Sequence, residues 1–124
     1  MDITPLVPKG KLVISRYGNG GFVLGEAIHK GSILMAADGI WPWAVMDAHG
    51  ITEASLAPLL ALKIPPEVLL IGTGAQFMPL PEALRMGLRA KGIMAEGMDT
   101  GAACRTYNVL MAEDRRVAAA LIAI

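Results

Sequence analysis

The sequence predicts an α/β fold: a single domain over residues 1–124, with an N-terminal antiparallel meander followed by a mostly parallel sheet and flanking helices. Three observations carry that expectation. Apolar residues make up 54% of the chain but aromatic ones only 5%, so the core must be built from Leu, Ile, Val, Ala and Met, as suits a sheet covered by helices. Short apolar runs broken by Gly and Asn fill the first half. After Val68, strand and helix patterns alternate.

The elements follow in order. Lys11 to Arg16, Phe22 to Ile28 and Ile33 to Met35 read as strands, separated by Tyr17-Gly-Asn-Gly-Gly21 and His29-Lys-Gly-Ser32. Gly and Asn there tolerate the positive φ of tight turns. The turn Ala37-Asp-Gly39 leads to Trp41-Pro-Trp43, where the proline favours an edge or loop position. The two tryptophans could form a binding platform or close one end of the core. Thr52 can cap a helix carrying Leu56, Leu59 and Leu60, which Pro65-Pro66 ends.

The second half is strand Val68 to Ile71, helix Pro81 to Lys91, strand Ile93 to Glu96, helix Thr100 to Met111 and strand Val117 to Ile122. Pro81 suits the start of a helix, Glu82 complements its positive terminus, and Gly92 sits where a terminating glycine belongs. Strands of this length without polar alternation are expected where both faces of a sheet are covered. No internal repeat, low-complexity tract or linker marks a second domain.

Composition narrows the function. Eleven basic and eleven acidic residues cancel, and no dense cluster of Lys or Arg offers a phosphate-backbone footprint, so nucleic acid is not an expected partner. Absent net charge also removes one barrier to self-association, leaving a homodimer open. Cys104 is the one cysteine, which precludes an internal disulfide and favours a reducing compartment. The N-terminal residues lack the basic and apolar regions of a secretory signal, and no apolar run reaches the ~18 to 20 residues of a membrane span, so a cytoplasmic location is expected.

Few residues suggest chemistry. Ile71-Gly-Thr-Gly-Ala75 follows a buried strand, where α/β sheets often place ligand loops. Phe77 stands where a third dinucleotide-fingerprint glycine would be needed, and no Lys-Ser or Lys-Thr completes a phosphate loop. Cys104 lies in the first turns of a helix beside Arg105, a setting that can lower a thiol pKa, and it is the candidate redox thiol. His29 and His49 are not placed near it by the sequence, so a packed thiol is the competing reading. The same isolated histidines give no metal spacing, and no cofactor is expected.

Asp99, Thr100, Arg105, Thr106, Tyr107 and Asn108 gather acceptor, hydroxyl, guanidinium, phenol and amide on one short helix. With Gly72, Thr73 and Gly74 they could rim a pocket for a ligand or partner; equally, they could satisfy buried backbone groups at a helix junction. No catalytic set is complete, which leans the reading away from an enzyme.

Gly72-Thr-Gly74 after a Val/Leu-rich strand, the run from Glu96 to Asn108, and Glu113-Asp-Arg-Arg-Val-Ala-Ala-Ala-Leu121 together carry a resemblance. They resemble the small domain-of-unknown-function family that includes the mitochondrial respiratory complex I assembly factor 3. The likeness extends to Gly31-Ser-Ile-Leu34 and the Trp41-Pro-Trp43 region. It implies a three-layer α/β fold with a mixed central sheet. It also implies protein partners, respiratory complex subunits among them, with peripheral membrane association through those partners. It brings no established catalytic residues. Unlike the mitochondrial relative, this sequence shows no transit peptide.

Overall fold

The computed structural model describes residues 12–124. Lys11, expected to begin the first strand, lies outside them. Strands β1 (Ile14–Gly18), β2 (Gly21–Leu24) and β3 (Ala27–Lys30) form a small antiparallel sheet in that order. Asn19 and Gly20, with φ of 54° and 77°, make the two-residue link between β1 and β2. Positive φ at both central positions matches a right-handed strand twist, which explains the Asn-Gly pair.

The expected single strand from Phe22 to Ile28 is instead a hairpin, pairing Leu24 with Ala27 around Gly25 and Glu26. Gly25, at φ +60°, occupies the first link position, where glycine is favoured in one class of hairpin turn. The apolar run conceals a reversal because Gly25 and Glu26 are flanked by strand-forming residues on both sides.

The main sheet contains β4 (Ile33–Ala36), β5 (Gly39–Pro42), β6 (Val68–Gly72), β7 (Met94–Met98) and β8 (Val117–Leu121), in the order β5-β4-β8-β6-β7. β6 runs parallel to both β7 and β8, whereas β4 is antiparallel to β5 and β8. The sheet is therefore mixed, with only β4 reversed. The expected meander is divided: β4 and β5 join the main sheet rather than the small one. Pro42 falls on the edge strand β5, where a missing N–H is tolerated.

Among the described residues, three α-helices complete the layers: α1 (Ala57–Leu60), α2 (Glu82–Ala90) and α3 (Thr100–Ala112). The helix expected from Thr52 is shorter and begins as a 3-10 turn over Ala54–Leu56. Glu53, not Thr52, flanks that turn; Thr52 stands one residue earlier, its hydroxyl accepting from Ser55 N–H at 3.1 Å. Pro58, which lacks an N–H, sits in the first turn of α1, so the segment divides there.

Strand alternation sends successive side chains to opposite cores. Leu34, Leu69, Ile71, Ala118 and Ala120 meet Leu56, Leu59, Leu84 and Leu88 on one face. Ile33, Met35, Leu70, Ala119 and Leu121 meet Ala103, Tyr107 and Met111, together with Ile14 and Phe22 of the small sheet, on the other. The result is three layers: α1 and α2, the main sheet, then α3 with the small sheet. Each fully buried Leu or Ile contributes about 1.5–3 kcal/mol. Trp43 is buried in the first core, its indole N–H donating to Ser55 O at 3.0 Å, and Trp41 packs partly buried against the same core. The tryptophans thus close one end of that layer.

Candidate functional site

The residues singled out on α3 lie where the helix crosses the main sheet and receives the small one. Asp99 caps α3, its Oδ1 accepting from Ala102 N–H at 2.9 Å. Thr100 is fully buried, and its hydroxyl joins three segments by donating to Ile122 O at 2.8 Å and accepting from Gly74 N–H at 3.0 Å. Its own N–H donates to Gly74 O at 2.8 Å. Gly72 permits this closeness: a Cβ there would stand 2.9 Å from Thr100 Cα.

Thr73 is also buried. Its hydroxyl reaches Gln76 O at 2.9 Å and Met98 O at 3.2 Å, and accepts from Met78 N–H at 3.0 Å. The loop from 73 to 81 is thereby tied to the carboxyl ends of β6 and β7. Leu80 folds back over Gly97, whose missing side chain leaves room for it. Phe77 and Met78 remain exposed on the same loop.

About two turns further along α3 from Thr100, Asn108 is buried and acts as a strand neighbour for Ile14. Its Oδ1 accepts from Ile14 N–H at 3.0 Å, and its Nδ2 donates to Ile14 O at 2.8 Å. Arg105 is exposed, with Nη1 donating to the Tyr17 hydroxyl at 2.8 Å. Thr106 is half-buried. Tyr107 is fully buried, its hydroxyl has no hydrogen-bond partner among the described residues, and burial raises the phenol pKa well above its ordinary value.

Cys104 is fully buried on the same helix. Burial is the main influence on its thiol, Arg105 partly opposes it and Asp99 adds to it, with the pKa pushed up to about 12. The thiol is therefore protonated at neutral pH, since desolvation outweighs the neighbouring Arg105 guanidinium.

The structure brings Thr73, Gly74 and Thr100 into one network, while Arg105 and Asn108 reach toward the small sheet instead. Two participants carry no obvious chemical signature in the sequence. Tyr17 receives the Arg105 bond, and Gly101 lies beneath its ring: a Cβ on Gly101 would stand 2.7 Å from the Tyr17 hydroxyl. The signal for Gly101 is a glycine inside a helix, which costs about 0.5–1 kcal/mol relative to alanine and implies close approach. Among the described residues, no group of three or more His, Cys, Asp or Glu side chains could hold a metal ion, and no helix is long and apolar enough to cross a membrane.

Residues 14–122 match the family described as Protein of unknown function (DUF498/DUF598). The chain belongs to that family. It is 43% identical to an uncharacterized protein of Rhodobacter capsulatus across 91% of this chain and 86% of that one. It is also 32% identical to the NADH dehydrogenase [ubiquinone] 1 alpha subcomplex assembly factor 3 of Xenopus tropicalis, over 90% of this chain but 61% of that protein. Among solved structures, a crystal structure described as an outer membrane protein from Bartonella henselae matches with a TM-score of 0.84 and 45% identity, covering 92% of this chain and 96% of that one. The DUF498/DUF598 family thus includes both assembly factors and proteins without a described activity, and this chain spans about three-fifths of the length of the assembly factor.

Proposed function

We propose that this DUF498/DUF598 protein is a non-enzymatic interaction or assembly factor that assists assembly of a respiratory NADH dehydrogenase complex. The observation that carries the proposal is its similarity, across nine-tenths of its length, to a protein named as an assembly factor for that complex. The α3 geometry is consistent with it. A ligand held between the Gly72–Gly74 turn and α3 would compete with the backbone partners of Thr100, whereas a protein partner can use the exposed Phe77 and Met78 without disturbing them. Membrane association, in this reading, is peripheral and made through the partner subunits.

Affinity capture combined with deletion tests the proposal. Enrichment of respiratory subunits, with reduced NADH:quinone activity in the deletion strain, is expected. No enrichment and unchanged activity would reject it. A metabolite thermal-shift screen tests the competing pocket: a ligand-dependent shift that is lost in Arg105→Ala would favour small-molecule binding.

A further inference from the structure

The two edges of the main sheet are unlike. β5 ends in Pro42, whereas β7 is an ordinary strand bonded to β6 on one side. Met94 N–H donates to Glu67 O, and Met98 O accepts from Thr73 N–H, so these residues aim their backbone groups at β6. In a parallel ladder the intervening residues alternate, which turns the N–H and C=O of Ala95 and Gly97 to the side away from β6; Ala95 itself is buried, within the core that α2 covers, and Gly97 is half-buried. An edge of this kind can accept another strand.

Helix α2 flanks that edge. Glu82, Arg85, Met86 and Arg89 occupy successive turns of one helix face and, with Met94 and Glu96, line a groove of about 360 Å³. Met86 and Met94 are 62% and 57% exposed, large values for apolar side chains on ordered elements. The charges along the helix are ordered: an acid stands at its start and a base at its end.

We propose that the β7 edge and the outer face of α2 are a homodimer interface, with a second copy as occupant. A two-fold axis normal to the sheet would pair β7 antiparallel with its mate and join the main sheets into one continuous sheet. Centred on Ala95, this pairing sets Met94 opposite Glu96 of the second copy and keeps the two Glu96 carboxylates from facing each other directly. The same axis runs the two α2 helices antiparallel, placing Glu82 opposite Arg89 of the second copy, twice, with the methionines at position 86 near the middle. Zero net charge leaves no overall repulsion between copies.

The full chain is tested by analytical ultracentrifugation from about 1 µM to about 1 mM, with amide exchange measured at both ends of that range. Dimer formation with slower exchange at Ala95 and Gly97 at high concentration is expected. Arg89→Glu weakens association about tenfold or more, and combining it with Glu82→Arg restores the opposite-charge pairs and recovers affinity. A monomer throughout the range overturns the proposal. So does a dimer indifferent to Arg89→Glu, or one whose exchange protection lies elsewhere. The wild-type exchange measurement decides the matter even if a charge variant folds poorly.

Discussion

The phenol of Tyr17 rests on the backbone of Gly101, where a Cβ would lie 2.7 Å from the hydroxyl oxygen, and the same hydroxyl receives Arg105 Nη1 at 2.8 Å. Gly101 therefore sets how closely the small sheet and α3 approach. Gly101→Ala gains up to about 1 kcal/mol in helix propensity but incurs about 1–3 kcal/mol of overpacking. Net destabilisation is expected in chemical denaturation. Adding Tyr17→Phe removes the clashing oxygen, so the double variant should be more stable than the sum of the two single changes predicts.

Thr100→Val keeps the shape of the side chain and removes its hydroxyl. Gly74 N–H and Ile122 O then lose a partner, at a cost of about 1–3 kcal/mol for each group left unsatisfied. A fall in the denaturation midpoint with little change in slope is expected. An unchanged midpoint would mean that the three segments are held together in some other way.

Asn108→Leu strips both backbone groups of Ile14 of their partner while keeping the residue apolar. A loss of about 2–4 kcal/mol is expected, and amide exchange at Ile14 should accelerate more than exchange in β6 or β8. Uniform acceleration across both sheets would count against Asn108 as a local clamp.

Tyr107→Phe should behave in the opposite way. Its hydroxyl is buried without a partner among the described residues, so removing it is neutral or stabilises the fold by up to about 1 kcal/mol. A loss exceeding about 1 kcal/mol would reveal a bond made by that hydroxyl in solution.

Cys104 gives a pH signature. Its folded pKa of about 12 lies above the ordinary 9.0, so its contribution to stability is fully present below pH 9 and is lost as pH rises toward 12. Between those limits stability should fall by at most about 1.4 kcal/mol per pH unit for this proton. Denaturation of the wild type and Cys104→Ala across this range measures the difference in slope, which should be smaller in the variant. Thiol labelling of the folded protein at pH 8 should proceed only as fast as the structure opens.

Much of the β6-to-β8 half was legible because the physics there is local. Asp99 caps a helix, Gly92 ends one, and apolar runs such as Val68 to Ile71 announce strands covered on both faces. The Phe22 to Ile28 run was less transparent, since a reversal at Gly25-Glu26 leaves the flanking apolar pattern unbroken. On α3 the sequence displays polar groups at helical spacing but not what opposes them. Ile14 is 94 residues from Asn108 and Tyr17 is 88 from Arg105, separations at which helical periodicity identifies no partner. Ile122 is likewise outside the helix that carries Thr100. The groove beside β7 is set by tertiary placement: only the position of β7 at the edge of the sheet brings Met94 and Glu96 alongside Glu82, Arg85 and Arg89 of α2.

The central position of β8 bears on how this protein is made. β8 alone joins the β4–β5 pair to the β6–β7 pair, yet it is the last of the sheet's strands to leave the ribosome. Until Val117–Leu121 emerges, the nascent chain carries β4 and β6 with open sides that their future neighbour must fill. Such sides are sticky, and non-local pairing of this kind is slow. Translation pauses between β7 and β8 should therefore favour aggregation more than pauses of equal length before β4, making the interval just before β8 the vulnerable moment in biogenesis.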